Sequence, residues 1–449
     1  MSSKKSPRSN PSRRRFLRQS SAAVLSTSLA GSCAIPENRD EPTDPAAAAA
    51  SGNAYPGGSD LLKVGLIGCG GRGTGAASNA LRADPNVKLW AMGDAFSDML
   101  EDHLKSLQNA ADIAEKVDVP PERRFVGFDA YKKVIDECDV ILIATSPHFR
   151  PLHVEYAVEK GKHLFIEKPV ATDVVGLRRI QAACKLGAEK GLSMVSGLCY
   201  RYHFAKQETM KRVHGGEIGE IRTLQCTYNT GGLWHRGRKP EWSEMEYQMR
   251  NWLYFTWLSG DHIAEQHIHS LDKVLWAMKD EAPIKATSTG GRILRTDEKY
   301  GNAYDHFNTV FEWENGVRAF SSCRQMPGTA FDVSDFAVGT TGTASLQSHR
   351  ITGENGKWRH RSDEPDDMYQ NEHNELFKSI RAGKPIDNSD YMIKSTMLAI
   401  MGRMSAYTGQ TVSWEQAWQS TLDLSPPSYE WLEQLETKPV ALPGVEKFI

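Results

Sequence analysis

The sequence predicts an α/β fold in two parts: a first domain that alternates strands with helices, then a second that carries a longer run of strands. Three stretches predict it. Leu61 to Ile67 is an apolar run that reads as a buried strand, and it ends in Gly68-x-Gly70-x-x-Gly73 before a helical segment from Thr74 to Arg82. Beyond it, short β-branched runs alternate with helical patterns as far as Pro169. Between Ile284 and Gly339 the pattern changes to segments of apolar–polar alternation, separated by turn signals such as Glu314-Asn315-Gly316.

The glycine turn carries the first chemistry. Gly68 permits a tight turn, Gly70 lets the backbone approach a pyrophosphate, and Gly73 lets helix and strand pack closely. The helix start, with Gly71 and Arg72, offers unpaired N–H groups to phosphates. A second strand, Val87 to Met92, runs into Gly93-Asp94. Asp94 stands about twenty residues past the glycines, where a carboxylate accepts hydrogen bonds from a ribose 2′-OH. No Arg or Lys directly follows it, so the expected cofactor is NAD rather than NADP. An ordinary strand–turn–helix crossover is the competing reading; strand, turn, helix and acid in this order favour the dinucleotide site.

A chain of 449 residues suits two or three domains. The formal net charge of −2 gives no nucleic-acid footprint. The seven Cys are scattered without a CxxC pair, and Cys69 sits inside the glycine turn, so neither a disulfide framework nor a structural zinc site is expected.

Residues 1–34 read as an export signal. Lys4, Lys5, Arg8 and Arg18 make the start basic, and Ser12-Arg13-Arg14-Arg15-Phe16-Leu17-Arg18 resembles a twin-arginine signal. The small-residue stretch from Ser21 to Ala34 is too short for a membrane span. Twin-arginine export carries folded proteins, which suits a cofactor loaded in the cytoplasm, and the expected location is periplasmic. Ala30-Gly31-Ser32-Cys33 looks like a lipoprotein processing site, with Cys33 as the lipidated residue; cleavage near Ala34 is the alternative. Residues 35–60 form a Pro-, Ala- and Gly-rich linker.

The cofactor domain is expected over 61–196. Asp98 to Lys116, Tyr131 to Glu137 and Leu152 to Lys160 read as helices, with strands at Arg124 to Phe128, Asp139 to Thr145 and His163 to Ile166. Thr145-Ser146-Pro147-His148 leaves a buried strand where an open parallel sheet places its ligand crevice. Glu167-Lys168-Pro169 leaves the next one, which aims Lys168 into the same crevice or leaves it in a solvated loop.

With these motifs in this order, the chain resembles the Gfo/Idh/MocA oxidoreductases from Val64 almost to its end. The resemblance implies a dinucleotide-binding domain followed by an α/β domain with an open, mostly antiparallel sheet. It also implies a catalytic role for Lys168, and cofactor contacts from Thr145, Pro147, His148 and Glu167. It brings Tyr200 and Arg201 forward as substrate contacts.

The second domain, 197–449, is expected to bind substrate and to self-associate through the sheet face away from its helices. Gly231 to Leu258 is rich in Trp and Tyr, which suits a sugar ring but equally a core or a subunit interface. Read as one helix, Asp261, Glu265, His269 and Asp272 share a face. Glu265 and His269 match the family's Asp-x-x-x-His pattern, with Glu replacing Asp. Trp257, Asp261 and His262 complete the expected substrate contacts. His267 and His269 would face opposite sides, and the two-His zinc helix is lacking, so no metal is expected.

The expected reaction is hydride transfer between a sugar or polyol (inositol-like) hydroxyl carbon and NAD, with His269 as base, Lys168 on the substrate oxygen and Glu265 positioning them. Two alternatives stand beside it: a glycosidase with tightly bound NAD working by oxidation and elimination, and a non-catalytic sugar- or nucleotide-binding protein.

Overall fold

The computed structural model describes residues 60–448. The signal, Cys33 and nearly all of the linker lie outside them.

The first domain is a parallel sheet of order β3-β2-β1-β4-β5-β6. Its strands are β1 (Leu62–Ile67), β2 (Val87–Asp94), β3 (Arg124–Val126), β4 (Val140–Ile143), β5 (His163–Ile166) and β6 (Met194–Ser196). The helices between them are α1 (Gly71–Ala83), α2 (Ser97–Gln108), α3 (Ala130–Glu137), α4 (Arg150–Glu159) and α5 (Val174–Glu189). β4 and β5 are buried along their whole length, because helices cover both faces of a parallel sheet. The strand order reverses at β1 and β4, so the crevice opens at their carboxyl ends. Sequence pattern does not announce α5. Val174, Val175 and Gly176 are weak helix formers, and the Asp173 carboxylate fixes the start by accepting the Gly176 N–H at 2.7 Å.

The second domain begins with α6 (Phe204–His214) and β7 (Ile221–Thr230), followed by α7 (Glu244–Arg250), the single turns α8 (Thr256–Ser259) and α9 (His262–Glu265), and α10 (Ile268–Ala277). Seven strands follow: β8 (Lys285–Gly291), β9 (His306–Glu312), β10 (Arg318–Gln325), β11 (Asp335–Gly339), β12 (Gly342–Ser345), β13 (Arg350–Gly353) and β14 (Gly356–Arg359). The chain closes with α11 (Met368–Ala382), α12 (Ser389–Thr408), β15 (Val412–Ser413) and α13 (Trp414–Trp418). The nine strands form an open sheet of order β14-β13-β12-β11-β7-β10-β9-β8-β15. Within this sheet β7 and β10 pair in parallel and the other described pairs are antiparallel.

One face of this sheet packs under α10 and α12. Leu224, Phe307, Phe311 and Ala319 join Leu271, Leu275 and Met397 in one core. The opposite face leaves Phe320 and Phe336 exposed.

α11 packs back on the first domain, where Leu376, Phe377 and Ile380 share a core with Ala76, Ala77 and Phe165. One expectation needs correction: Ser259 to Asp272 is not one helix. Gly260 and Asp261 have φ of +74° and +71°, a left-handed kink that separates α8 from α9, and Gln266 and His267 separate α9 from α10.

Candidate active site

A cavity of about 560 Å³ lies over the crevice between the two domains. Its floor is the glycine turn. Gly68 takes φ +91°, and a Cβ there would come within 2.6 Å of the Ala144 carbonyl carbon; one on Gly73 would come within 1.9 Å of the Gly68 oxygen. Only glycine fits either place. A Cβ on Gly71, by contrast, would meet nothing within 4 Å, so the start of α1 is open to a ligand. Asp94 ends β2 at the wall, where its carboxylate accepts the Cys69 and Phe96 N–H groups at 2.6 and 2.9 Å. Burial lifts its pKa above the ordinary carboxylate value, and those two N–H groups pull it back. An open helix start beside an acid at the end of the second strand fits a dinucleotide: Gly70, Gly71, Arg72 and Gly73 for the pyrophosphate, Asp94 for the ribose.

Arg72 ties the turn to the rest of the site. Its Nε donates to Glu167 and its Nη2 to Glu372 on α11 at 2.9 Å, while its guanidinium lies over the Tyr369 ring. Burial would raise the pKa of Glu167, but Arg72, Lys168 and Arg150 outweigh it and hold the carboxyl below its usual range. Glu372 is the opposite case: burial pushes it well above the ordinary value, and Arg72 only partly offsets that. One arginine thus serves two acids whose pKa values are pushed in opposite directions.

Lys168 reaches across from the first domain. Its Nζ donates to the Glu265 carbonyl oxygen and lies 3.3 Å from Glu265 Oε1. His269 lines the same cavity from the first turn of α10. Burial, then the charges of Lys168, Lys273, Arg72 and Lys206, hold its pKa well below the usual imidazole value. The ring is therefore neutral at neutral pH and able to accept a proton, and its buried Nδ1 has no hydrogen-bond partner among the described residues. Lys168, Glu265 and His269, expected to be the catalytic groups, thus come together at the glycine turn.

Of the expected cofactor contacts, Thr145 and Glu167 line the cavity. Pro147 and His148 do not. A single 3₁₀ turn at Pro147–Phe149 rotates them away, and His148 instead bonds the Tyr429 hydroxyl at 2.9 Å and packs on Trp257. Arg150 and His153 occupy the wall in their place.

None of the five expected substrate residues lines the cavity. Arg201 is buried between Asp272 and Asp280, with N–O distances down to 2.8 and 2.6 Å. Asp261 is fully buried and accepts from the His262 N–H, the Tyr304 N–H and the Tyr407 hydroxyl. His262 lies against Phe307, and Trp257 donates its indole N–H to Gln248. Tyr200 stands behind His269, ring centroids 5.2 Å apart, with Lys206 and Lys273 over its own ring. The kink at Gly260–Asp261 is the reason for the Asp261 error: without a continuous helix, a shared face does not exist. The aromatic-rich stretch divides too. Trp234 and Trp252 line the cavity, whereas Tyr247, Tyr254 and Leu258 form a small core of their own.

Residues 62–194 match the oxidoreductase family with an NAD-binding Rossmann fold, and residues 207–359 match the GFO/IDH/MocA C-terminal domain, together more than half of the chain. The chain belongs to the Gfo/Idh/MocA family. Among curated relatives, 2,7-anhydro-N-acetylneuraminate hydratase of Escherichia coli is 27% identical over 218 residues, 48% of this chain and 53% of that protein. The match therefore spans about half the length of that relative. Inositol 2-dehydrogenase 3 of Saccharopolyspora erythraea is 24% identical over 302 residues, 65% of this chain and 75% of that one. The crystal structure of myo-inositol 2-dehydrogenase from Lactobacillus plantarum superposes with a TM-score of 0.60 at 19% identity, covering 79% of this chain and 99% of the other. That likeness is one of fold.

The cavity also holds residues that the sequence did not single out. Arg236, Met249 and Arg250 come from the second domain and Tyr369 from α11. Among all of these, only the aromatic-rich stretch gave any signal, through Trp234 and Trp252.

Proposed function

We propose that this protein is an NAD-dependent oxidoreductase that transfers a hydride between a hydroxyl-bearing carbon of a sugar or polyol, inositol-like, and nicotinamide. One observation carries the reading: Lys168 leaves the parallel sheet and meets Glu265 and His269 from the other domain in the cavity above the glycine turn. The inositol dehydrogenases among the relatives support the substrate class.

Bound NAD supplies the hydride acceptor. The protein's own groups do the rest. Neutral His269 takes the hydroxyl proton as the hydride leaves, a role generally worth about 10²–10⁴ in rate. Lys168 donates a hydrogen bond to the same oxygen and favours alkoxide character. Glu265 holds the ammonium in place. Asp94, with no basic residue after it, favours NAD over NADP.

The wider reading is that the chain is exported folded by the twin-arginine route to the periplasm, released by cleavage near Ala34 or tethered by a lipid on Cys33. Self-association would use the sheet face bearing Phe320 and Phe336.

The test is to extract the nucleotide from protein folded in the cytoplasm, reload NAD and screen polyols, sugars and glycosides. Net NADH formation with a polyol or sugar is expected. Glycoside cleavage without net NADH would establish the oxidation–elimination glycosidase instead, and binding without any turnover the non-catalytic reading.

A further inference from the structure

We propose that Arg236, carried by the second domain, closes over the cofactor's pyrophosphate from the side opposite the glycine turn. The proposal rests on the NAD-binding reading above.

The segment between β7 and α7 crosses the mouth of the cavity, and Trp234 and Arg236 line it together with Gly70 and Gly71. The Arg236 Nη atoms lie 3.6 and 3.7 Å from the Met99 sulfur. The Met99 terminal methyl is in turn the nearest atom to where a Cβ on Gly70 would stand, 3.9 Å away. One side chain therefore separates the guanidinium from the turn.

The other cations of the cavity wall are already engaged. Lys168 holds Glu265, Arg72 holds Glu167 and Glu372, and Arg250 holds Asp98 and Glu246. Arg150 is spent on the carbonyls of Thr145 and Pro169. Arg236, by contrast, meets the Met99 thioether and, 5.6 Å away, the Trp234 ring, and no carboxylate or carbonyl partner among the described residues. A thioether is a weak acceptor, so a forked cation faces the mouth without an anion.

Its backbone is held firmly. Asn251, fully buried, accepts the Arg236 N–H at 2.8 Å and donates to the Arg236 carbonyl at 3.1 Å. The Tyr254 hydroxyl donates to the Leu233 and Trp234 carbonyls. The Arg250–Asp98 pair then clamps the base of this strap to α2, next to Asp94. The fixed backbone leaves only the side-chain torsions to order on binding, and the guanidinium can meet a phosphate with two parallel hydrogen bonds. The pyrophosphate would then lie between the N–H groups at the start of α1 and Arg236.

The test uses the intact protein stripped of nucleotide, with R236A and R236K beside the parent. Calorimetry would measure the binding of NAD, NADP, ADP-ribose and adenosine. R236A is expected to weaken NAD and ADP-ribose equally, roughly 10- to 100-fold, as loss of a charge-assisted pair implies. Adenosine should be unaffected, R236K should recover part of the loss, and salt should erode the parent's affinity more steeply than that of R236A. Unchanged ADP-ribose binding in R236A overturns the proposal. So does a loss confined to NADP, which would assign Arg236 to a 2′-phosphate, or an effect seen only in the substrate KM at saturating NAD. A parent that binds neither NAD nor ADP-ribose would instead sink the cofactor reading itself.

Discussion

Two polar clusters grow from the same stretch of chain, one buried and one half-buried, and they differ in what completes them. At Arg201, the carboxylates of Asp272 and Asp280 take up the guanidinium, Ser395 bonds Asp272, and the rings of Trp276 and Tyr391 cover the remaining face. Nothing there opens on the cavity. At Lys168, Glu265 engages the ammonium, but His269 keeps an unpartnered nitrogen, and all three residues line a space large enough for a ligand. Both clusters join distant segments and both are costly to bury. Charged residues spaced along a helix are therefore no sign of a site by themselves. Unfilled hydrogen-bonding capacity beside a cavity is the sign.

The contrast can be broken or sharpened experimentally. The largest effect is expected at the open cluster: Lys168→Ala should lower turnover by about 10²–10⁴ while NAD remains bound and the melting temperature hardly moves. A purified Lys168→Ala enzyme with full turnover would erase the distinction. The closed cluster should answer in stability instead. Asp272→Ala leaves Arg201 buried with one carboxylate fewer and should cost about 3–5 kcal/mol in denaturant unfolding, with the substrate KM of the folded fraction retained. An unchanged unfolding midpoint with a raised KM would move Arg201 to the substrate side.

A third expectation concerns protons. Burial, outweighing the other effects, lowers the pKa of His148 and His163 to about 4 and that of His153 to about 3. Below about pH 6.5 the unfolded chain binds protons that these folded imidazoles refuse, so stability should fall as pH drops from about 6.5 toward 4. Each histidine contributes up to about 1.4 kcal/mol per pH unit. Unfolding curves that are flat across this range would show that the histidines are hydrated. The smallest effect is expected of Trp257→Phe. It removes one indole hydrogen bond to Gln248, worth about 1 kcal/mol, and should leave substrate KM unchanged.

How far the site could be read from the chain depended on how local its parts are. The glycine turn, Asp94 and Lys168 each stand at the end of a largely apolar strand, so their position at the carboxyl end of the sheet is readable from a dozen residues. Glu265 and His269 came through a family pattern rather than through the helical face first drawn for them. That face fails because Gly260 and Asp261 turn left-handed and the helix breaks again at Gln266 and His267, and spacing alone reveals neither. Pro147 and His148 failed for a similar reason: one 3₁₀ turn decides which side of the loop faces the cavity.

The sequence determined the first strand, the dinucleotide turn, the acid at the second strand and the lysine after the fifth. Each is encoded within a short window by steric need or periodicity. Tertiary structure alone decided that α11 returns to the first domain, that Arg72 spans Glu167 and Glu372, and that Arg236 stands over the turn from the other domain. Those arrangements join residues 95 or more positions apart. Their partners are selected by burial and by the need to satisfy charge, and no local pattern records either.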